Sequence, residues 1–364
     1  MTDHPRPPTR RLAIGLLASL PAMIRAGRLA AAPSIALPAP LALTANPFPN
    51  GASLMVAGPE GGALDECARS LLPALARSLA RGSQPRRIAL GAADGVTGAN
   101  QFDARVAPDG LTALLVPGTA ALAWLAADER AQFDVGRWVS VMAAAVPGVL
   151  VARPGTLLPG RAVRIACSTM TGPDLPALLG IDLLGATAQP VQAAARQAAL
   201  AAYSGDAVDA VFLQGHRVPQ RLAAFAEAGA RPAFTLGALD EAGRLVRSPL
   251  FPDVPHFGEA YATLWQSPAA GPLYAAWCAT AAAARLDWAL VLPLLTPAAM
   301  VALWRRAGSD AAASAEVKAF AQSVGALPLG ATAATGAVGS LVGDPAGLLE
   351  LRRWLASRFN RCSP

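Results

Sequence analysis

The stretch from Leu54 to Arg69, LMVAGPEGGALDECAR, constrains the fold of this chain more than any other. Leu54, Met55 and Val56 form the short apolar run typical of a buried strand. A turn rich in glycine follows, and apolar residues then recur at helical spacing from Leu64. This order directs free backbone N–H groups and the positive end of a helix dipole into one space. The stretch predicts an anion site in an α/β layer, and an ordinary βα turn with glycines for steric reasons is the alternative.

Two further units of the same kind follow within a short distance. Arg87–Leu90 reads as a strand before the glycine-rich turn at 91–100, and Leu111–Val116 reads as a strand that Pro117–Thr119 ends. Successive strand, turn and helix units predict a parallel α/β layer. In such sheets ligands bind beyond the carboxyl ends of the strands, where these turns lie.

A second α/β set begins after residue 150. The strand Val163–Ala166 leads into the turn Cys167–Gly172, which carries three hydroxyls and a glycine ahead of the apolar helix Leu175–Leu184. Another turn and strand follow at 204–212, and the final third, from about 296, is mostly helical by pattern. A length of 364 residues agrees with two such α/β units.

Composition and charge argue against nucleic-acid and membrane-spanning classes. Only 15% of the residues are charged, and the body of the chain holds no uninterrupted apolar run of about 20 residues. The net charge of +6 is concentrated at the amino terminus, where residues 1–32 carry +4 and leave +2 for the rest. No dense basic stripe interleaved with aromatics occurs elsewhere, so nucleic acid is not an expected partner.

Residues 1–32 have the pattern of an export signal. Arg10 and Arg11 precede the apolar run Leu12–Ile24, and Ala30–Ala32 offers small residues for cleavage. The paired arginines resemble a twin-arginine signal, and an ordinary signal or an uncleaved anchor are the alternatives. Residues 33–46 read as a linker, and the expected location is the periplasm.

The chain offers few residues for metal or nucleophilic chemistry. Its four cysteines are scattered without a CxxC pair, which argues against a zinc or redox site and favours separate thiols. His216 and His256 are the histidines outside the export signal, and each is expected to be a surface or packed side chain. Neither a GxSxG nor an HExxH motif is present. The sequence predicts no enzyme, no cofactor, no metal site and no catalytic residue.

The order of the motifs resembles the substrate-binding proteins of tripartite tricarboxylate transporters, the Bug family, over about 52–325. The resemblance rests on the strand, glycine pair and aspartate of the opening stretch and on a GxxGxxGA-like turn. It also rests on an APDG element, an FD element and a GxVD strand entry. The segment RSPLFPDVPHFGEA, Arg247–Ala260, carries the strongest likeness. The other motifs stand at Gly61, Gly62 and Asp65; Gly95, Gly98 and Ala99; Ala107–Leu115; Phe133 and Asp134; and Gly205, Val208 and Asp209.

The resemblance implies an α/β, two-lobed periplasmic-binding-protein-like fold of type II, a hinged clamshell in which each lobe is a mostly parallel sheet flanked by helices. Lobe 1 is expected at 47–150, completed by 271–364, and lobe 2 at 151–270. The implied function is an extracytoplasmic solute receptor that captures a small organic, carboxylate ligand between the lobes. Delivery to the membrane permease subunits of a tripartite transporter is the implied next step.

The candidate ligand-binding residues lie on the turns that end the predicted strands, where backbone N–H groups and hydroxyls suit reversible capture of a carboxylate. Helix capping by the hydroxyls and a structural role for Asp65 are the alternatives. The candidates are Glu60, Gly61, Gly62, Asp65, Gly98, Gly118, Thr119, Ser168, Thr169, Thr171, Gly172 and Gln214.

Departures from the family pattern leave the ligand open. Glu60 stands in the first turn, where a carboxylate repels an anionic ligand unless it points outward. Leu213 and Gln214 follow the second-lobe strand where the family often has a polar residue, commonly Asp. A citrate-type ligand is not supported residue by residue, and a monocarboxylate, an amino-acid-like molecule and a neutral molecule are the alternatives. Alternatives to transport are an orphan binding protein partnering a membrane sensor, a ligand-free scaffold and a small-molecule hydrolase.

Overall fold

The structure is a computed structural model that describes residues 48, 51–79, 85–192, 196–240 and 243–362. The predicted export signal and linker, 1–46, lie outside these residues. In chain order the strands are β1 (Ser53–Ala57), β2 (Arg86–Leu90), β3 (Thr112–Pro117), β4 (Trp138–Ala145), β5 (Gly148–Ala152), β6 (Ala162–Cys167), β7 (Thr187–Gln192), β8 (Ala210–Gln214), β9 (Arg231–Thr235), β10 (Ala238–Leu239), β11 (Leu245–Val246), β12 (Leu286–Pro293) and β13 (Leu327–Leu329).

The helices connect and cover these strands. In chain order they are α1 (Ala63–Leu79), α2 (Val96–Arg105), α3 (Gly118–Leu125), α4 (Leu175–Leu183), α5 (Arg196–Ser204), α6 (Val218–Glu227), α7 (Phe257–Trp265), α8 (Pro272–Arg285), α9 (Ala298–Ala313), α10 (Ala315–Val324), α11 (Ala331–Gly339) and α12 (Pro345–Cys362), with a 3₁₀ turn at Val135–Arg137.

Two sheets follow one strand plan. The first sheet has the order β2-β1-β3-β12-β4-β13, and the second has the order β7-β6-β8-β5-β9. The fourth strand in each of these orders is β12 in the first sheet and β5 in the second. Each is the first strand that the chain forms after it crosses from the other sheet. The short strands β10 and β11 form a separate antiparallel hairpin. The predicted two-sheet α/β architecture is confirmed.

Both sheets are mixed, so the prediction of mostly parallel sheets was wrong in this detail. Strands β1, β2 and β3 pair in parallel, as do β6, β7 and β8. The entering strands β12 and β5 instead run antiparallel to both of their neighbours. Each of these two strands enters its sheet from the other one, and β5 does so directly from β4, with only Val146 and Pro147 between them.

The apolar run at 286–295, too short to span a membrane, forms the central strand β12. Strand β4 and its neighbour β13 were not predicted, because their apolar residues lack a clear alternation. Within the described ranges no helix is long and apolar enough to cross a bilayer.

The helices α8 and α12 connect the two halves of the fold. Helix α8 packs against α3, which follows a strand of the first sheet, and against α4, which follows a strand of the second. Helix α12 packs on α8, and its Trp354 donates a hydrogen bond to Asp182 of α4 at 2.8 Å. Arg358 of α12 also contacts Asp182. The lobe boundaries expected from the sequence stay a prediction.

Helix α1 shows how the sequence pattern positions the site. Its apolar residues at helical spacing, among them Leu71, Leu75 and Leu79, are buried against the first sheet, while the opposite face is exposed. This packing fixes the axis of the helix, and its first turn then lies at the end of β1. The glycine turn between them forms one wall of the cleft described next.

Candidate functional site

A cleft with a volume of about 350 Å³ is lined by residues that follow strands of both sheets. This volume is at the lower end of the range typical of small-molecule sites. The lining residues are Gly58, Pro59, Gly62, Ala63, Leu64, Cys67, Ala93, Pro117, Gly118, Thr119, Leu122, Pro173, Gln214, Gly215, His216, Ala283, Ala284, Leu286, Asp287, Trp288 and Phe320. Of the predicted site residues, the cleft brings together Gly62, Gly118, Thr119 and Gln214.

The glycine turn after β1 supplies the first wall through its backbone. Gly61 has a φ of 72°, a left-handed conformation that glycine adopts without strain. Its N–H donates to the fully buried carboxylate of Asp65 at 2.9 Å. Asp65 also accepts from Arg69 at 2.8 Å and from Arg87, so it braces the turn from behind. Glu60 points outward, with 80% of its side chain exposed.

Two of the predicted site glycines permit close backbone approach. A Cβ at Gly98 would lie 2.5 Å from Cα of Ala57, so this glycine lets α2 pack on β1. A Cβ at Gly118 would lie 2.2 Å from the carbonyl oxygen of Leu286, where β12 begins. Thr119 lines the cleft, and its hydroxyl donates to the carbonyl of Asp94 at 3.1 Å. Thr119 therefore has only its backbone N–H left to donate to a ligand.

The turn after β6 is organised by an aspartate that the sequence reasoning missed. The backbone N–H and the hydroxyl of Ser168 both donate to Asp174, at 3.1 and 3.2 Å. Gly172 donates its N–H to the carbonyl of Thr169 at 3.2 Å and tightens the turn. Thr171 lies between them, half-buried. These residues stand next to the lining residue Pro173 but are not themselves in the lining.

The end of β8 brings the second sheet to the start of β12. Gln214 donates from its side chain to the carbonyl of Ala284 at 2.7 Å. Two residues later, Nε2 of His216 lies 3.1 Å from Oδ2 of Asp287. Both members of this pair line the cleft, and sequence reasoning missed Asp287 and took His216 for a surface or packed residue. The position of His216 just after a strand end was the one available signal.

Burial controls the state of the cysteine in the cleft. Burial, with a further contribution from the negative charge of Asp287, raises the pKa of the Cys67 thiol to about 12. The thiol is therefore protonated near neutral pH. Cys167 and Cys278 are also free thiols whose pKa is raised by burial. The described residues contain no group of three or more His, Cys, Asp or Glu side chains placed to hold a metal ion.

The electrostatics of the cleft come chiefly from the backbone. The starts of α1 and α3 are both in the lining, and the first amides of a helix have no partner within that helix. Each helix start also carries the positive end of a dipole. None of the lining residues is Lys or Arg. The cleft can thus hold an anionic group through neutral N–H donors, while Asp287 adds one negative charge.

No protein-family model matches the sequence, and no curated protein matches it. Among solved structures, the chain is similar to a TctC solute binding protein from Polaromonas, with a TM-score of 0.61 and 14% identity over 86% of this chain and 99% of that chain. It is also similar to the periplasmic binding protein BugD, with a TM-score of 0.48 and 18% identity over 86% of this chain and 98% of that chain. A third similar structure is MatC from Rhodopseudomonas palustris with bound malate, with a TM-score of 0.48 and 21% identity over 84% of this chain and 98% of that chain. The likeness to the Polaromonas protein confirms the fold expected from the sequence motifs.

Proposed function

We propose that this chain, which has the fold of a TctC solute binding protein, is an exported receptor that captures a small organic acid. The ligand occupies the cleft between the two sheets, with its carboxylate at the starts of α1 and α3. Membrane permease subunits then accept the ligand from the receptor. Gly62, Gly118, Thr119 and Gln214 are the predicted site residues that contact the ligand, because they line the cleft.

The observation that carries this proposal is a cleft walled by strand ends of both sheets and two helix starts, with no Lys or Arg among its lining residues. Neutral N–H donors bind a carboxylate through directed hydrogen bonds and the helix dipoles. A site without a buried counter-cation holds its anion less tightly than an arginine clamp does. Release to a second protein therefore stays possible, as a transport receptor requires.

A hydrolase is disfavoured by the state of the nucleophile in the cleft. Cys67, His216 and Asp287 all line it, a residue set that superficially resembles a cysteine hydrolase. A thiol with its pKa raised to about 12 supplies almost no thiolate near neutral pH. The histidine is paired with Asp287, and the hydrogen bonds found among the described residues include none between it and Cys67.

The export signal places the receptor in the periplasm in this proposal, and a twin-arginine route fits Arg10 and Arg11. A binding protein that serves a membrane sensor has the same kind of cleft. The adjoining genes separate these partners, because a transport receptor is expected beside genes for a large and a small permease subunit. An isolated gene favours the sensor.

The experiment is a thermal-shift screen of the purified chain against monocarboxylates, dicarboxylates, tricarboxylates and amino acids. A ligand that binds only the folded state raises the melting temperature by mass action. The cleft is then tested with Ala93→Glu, since Ala93 is an exposed residue of the lining. Ala92→Glu is the matched control, because Ala92 is also exposed and lies outside the lining.

A dose-dependent shift with an organic acid that Ala93→Glu abolishes and Ala92→Glu retains supports the proposal. If both variants lose the thermal shift equally, the cause is the added surface charge. If both retain the shift, the ligand binds elsewhere. Either result refutes the proposal that the ligand binds in this cleft. If the chain melts cooperatively and none of the acids raises its melting temperature, the proposal of an organic-acid receptor is refuted.

A further inference from the structure

We propose that Asp287 selects the ligand, and that the acid filling the cleft carries a cationic nitrogen, as an amino acid does. This inference rests on the proposed function, because it concerns the ligand of the same cleft. It is drawn from the charges that line the cleft and from the position of Asp287 among them.

The ionisable side chains in the lining are Cys67, His216 and Asp287. Cys67 is a neutral thiol, and Lys and Arg are absent from the lining residues. Asp287 therefore carries the one carboxylate among the lining residues. A small acid whose carboxylate lies at the helix starts leaves its remaining groups to face that charge.

Asp287 is held in place by the strand that carries it. It is the second residue of β12, and the next residue, Trp288, pairs with Pro117 at the end of β3. About 24% of the Asp287 side chain is exposed. Its Oδ2 contacts His216, while the hydrogen bonds among the described residues include none to Oδ1. Because Asp287 lines the cleft, we infer that this oxygen accepts the hydrogen bond from the ligand.

The negative charge lies within reach of the proposed carboxylate site. Cys67 is one helical turn into α1, and the charge of Asp287 contributes to its raised pKa. The field of Asp287 therefore extends to the helix whose first turn borders the glycine turn. In a cleft of about 350 Å³, one small molecule spans both places.

This arrangement discriminates between classes of acid. A second carboxylate near Asp287 meets a like charge in a partly desolvated cleft, where charge interactions are stronger than in water. An ammonium group instead donates a charge-assisted hydrogen bond to Asp287. The pairing with His216 orients the carboxylate for this contact. We therefore expect the amino acid of a matched pair to bind on the order of tenfold more tightly than the same acid without nitrogen.

The test is isothermal titration calorimetry with matched ligands: L-leucine against 4-methylpentanoate, and L-glutamate against glutarate. Each pair differs by the amino group alone. The titrations use the unaltered chain, Asp287→Asn, and Asp253→Asn as a control. Asp253 is an exposed aspartate outside the cleft, so the control makes the same chemical change where no ligand is expected. Thermal melting of each variant without ligand confirms folding.

The inference is supported if the unaltered chain and Asp253→Asn prefer the amino member of a pair by about tenfold and Asp287→Asn loses that preference. It is overturned if the acids without nitrogen bind as tightly in the unaltered chain, a comparison that needs no variant to fold. It is also overturned if the preference survives in Asp287→Asn. In both of those cases the cleft still binds an acid, so the proposed function stands. A chain that binds none of the four ligands also overturns the inference, and the wider acid screen then decides the proposed function.

Discussion

Replacing Asp65 tests whether this side chain stabilises the glycine turn or binds the ligand. The Asp65 carboxylate is fully buried and accepts from the N–H of Gly61, from Arg69 and from Arg87. It does not line the cleft. Asp65→Asn keeps the size of the side chain, so it removes the charge without leaving a cavity.

The magnitude follows from what the variant leaves behind. Breaking one partner of a buried ion pair costs about 3–5 kcal/mol, because the remaining charge is then uncompensated. Here the side chain of Arg69 is 50% exposed and that of Arg87 is 23% exposed, so water partly solvates both cations. We therefore expect the lower value, about 3 kcal/mol. With an unfolding entropy of about 2.1 cal/mol/K per residue, a chain of 364 residues is then expected to melt about 4 °C lower.

The assay is chemical denaturation, with Glu60→Gln as the matched control. Glu60 lies 3.8 Å from Arg87 but is exposed, so its neutralisation is expected to change the free energy of unfolding by less than about 0.5 kcal/mol. Ligand affinity serves as the second readout. A loss below about 1 kcal/mol in Asp65→Asn, with affinity reduced, would refute the bracing role and return Asp65 to the ligand site.

Three further predictions follow from single contacts. Gly118→Ala is expected to lower the free energy of unfolding by about 3 kcal/mol, because the new Cβ meets backbone oxygens that cannot rotate away. Gly336→Ala, in α11 where no atom lies near the new Cβ, is expected to raise it by about 0.5–1 kcal/mol. Equal effects of the two alanines in denaturation curves contradict this packing argument. Burial lowers the pKa of His256, which caps α7 through an unprotonated ring nitrogen, so stability falls as the pH drops below about 6.5 towards the lowered pKa. His256→Asn retains the cap and should flatten that slope, and an unchanged slope counts against it. The hydrogen bonds from Arg164 lower the pKa of Asp209, so their stabilisation is present above about pH 4 and is lost as the pH falls through the lowered pKa. Asp209→Asn should therefore make acid denaturation less steep, and an identical acid transition speaks against the pair.

The sequence determined the local units and their order. The strand, glycine turn and helix at 54–69 formed as predicted, because alternation and helical spacing depend on neighbours a few residues apart. The same reasoning located the turns after β1 and β3, and with them Gly62, Gly118 and Thr119 in the cleft. The order of these motifs was sufficient to predict the two-sheet fold.

Only the tertiary structure decided which side chains face the cleft. His216 and Asp287 are 71 residues apart and meet because the end of β8 lies next to the start of β12. Asp65 and Gly98 belong to motifs that predicted ligand contacts, but both have structural roles. Asp65 accepts a hydrogen bond from the Gly61 N–H, and Gly98 allows α2 to pack closely on β1. Spacing along the chain carries no information on such contacts, since they depend on the path of the chain through both sheets. The charge that we propose selects the ligand was therefore visible only in the folded molecule.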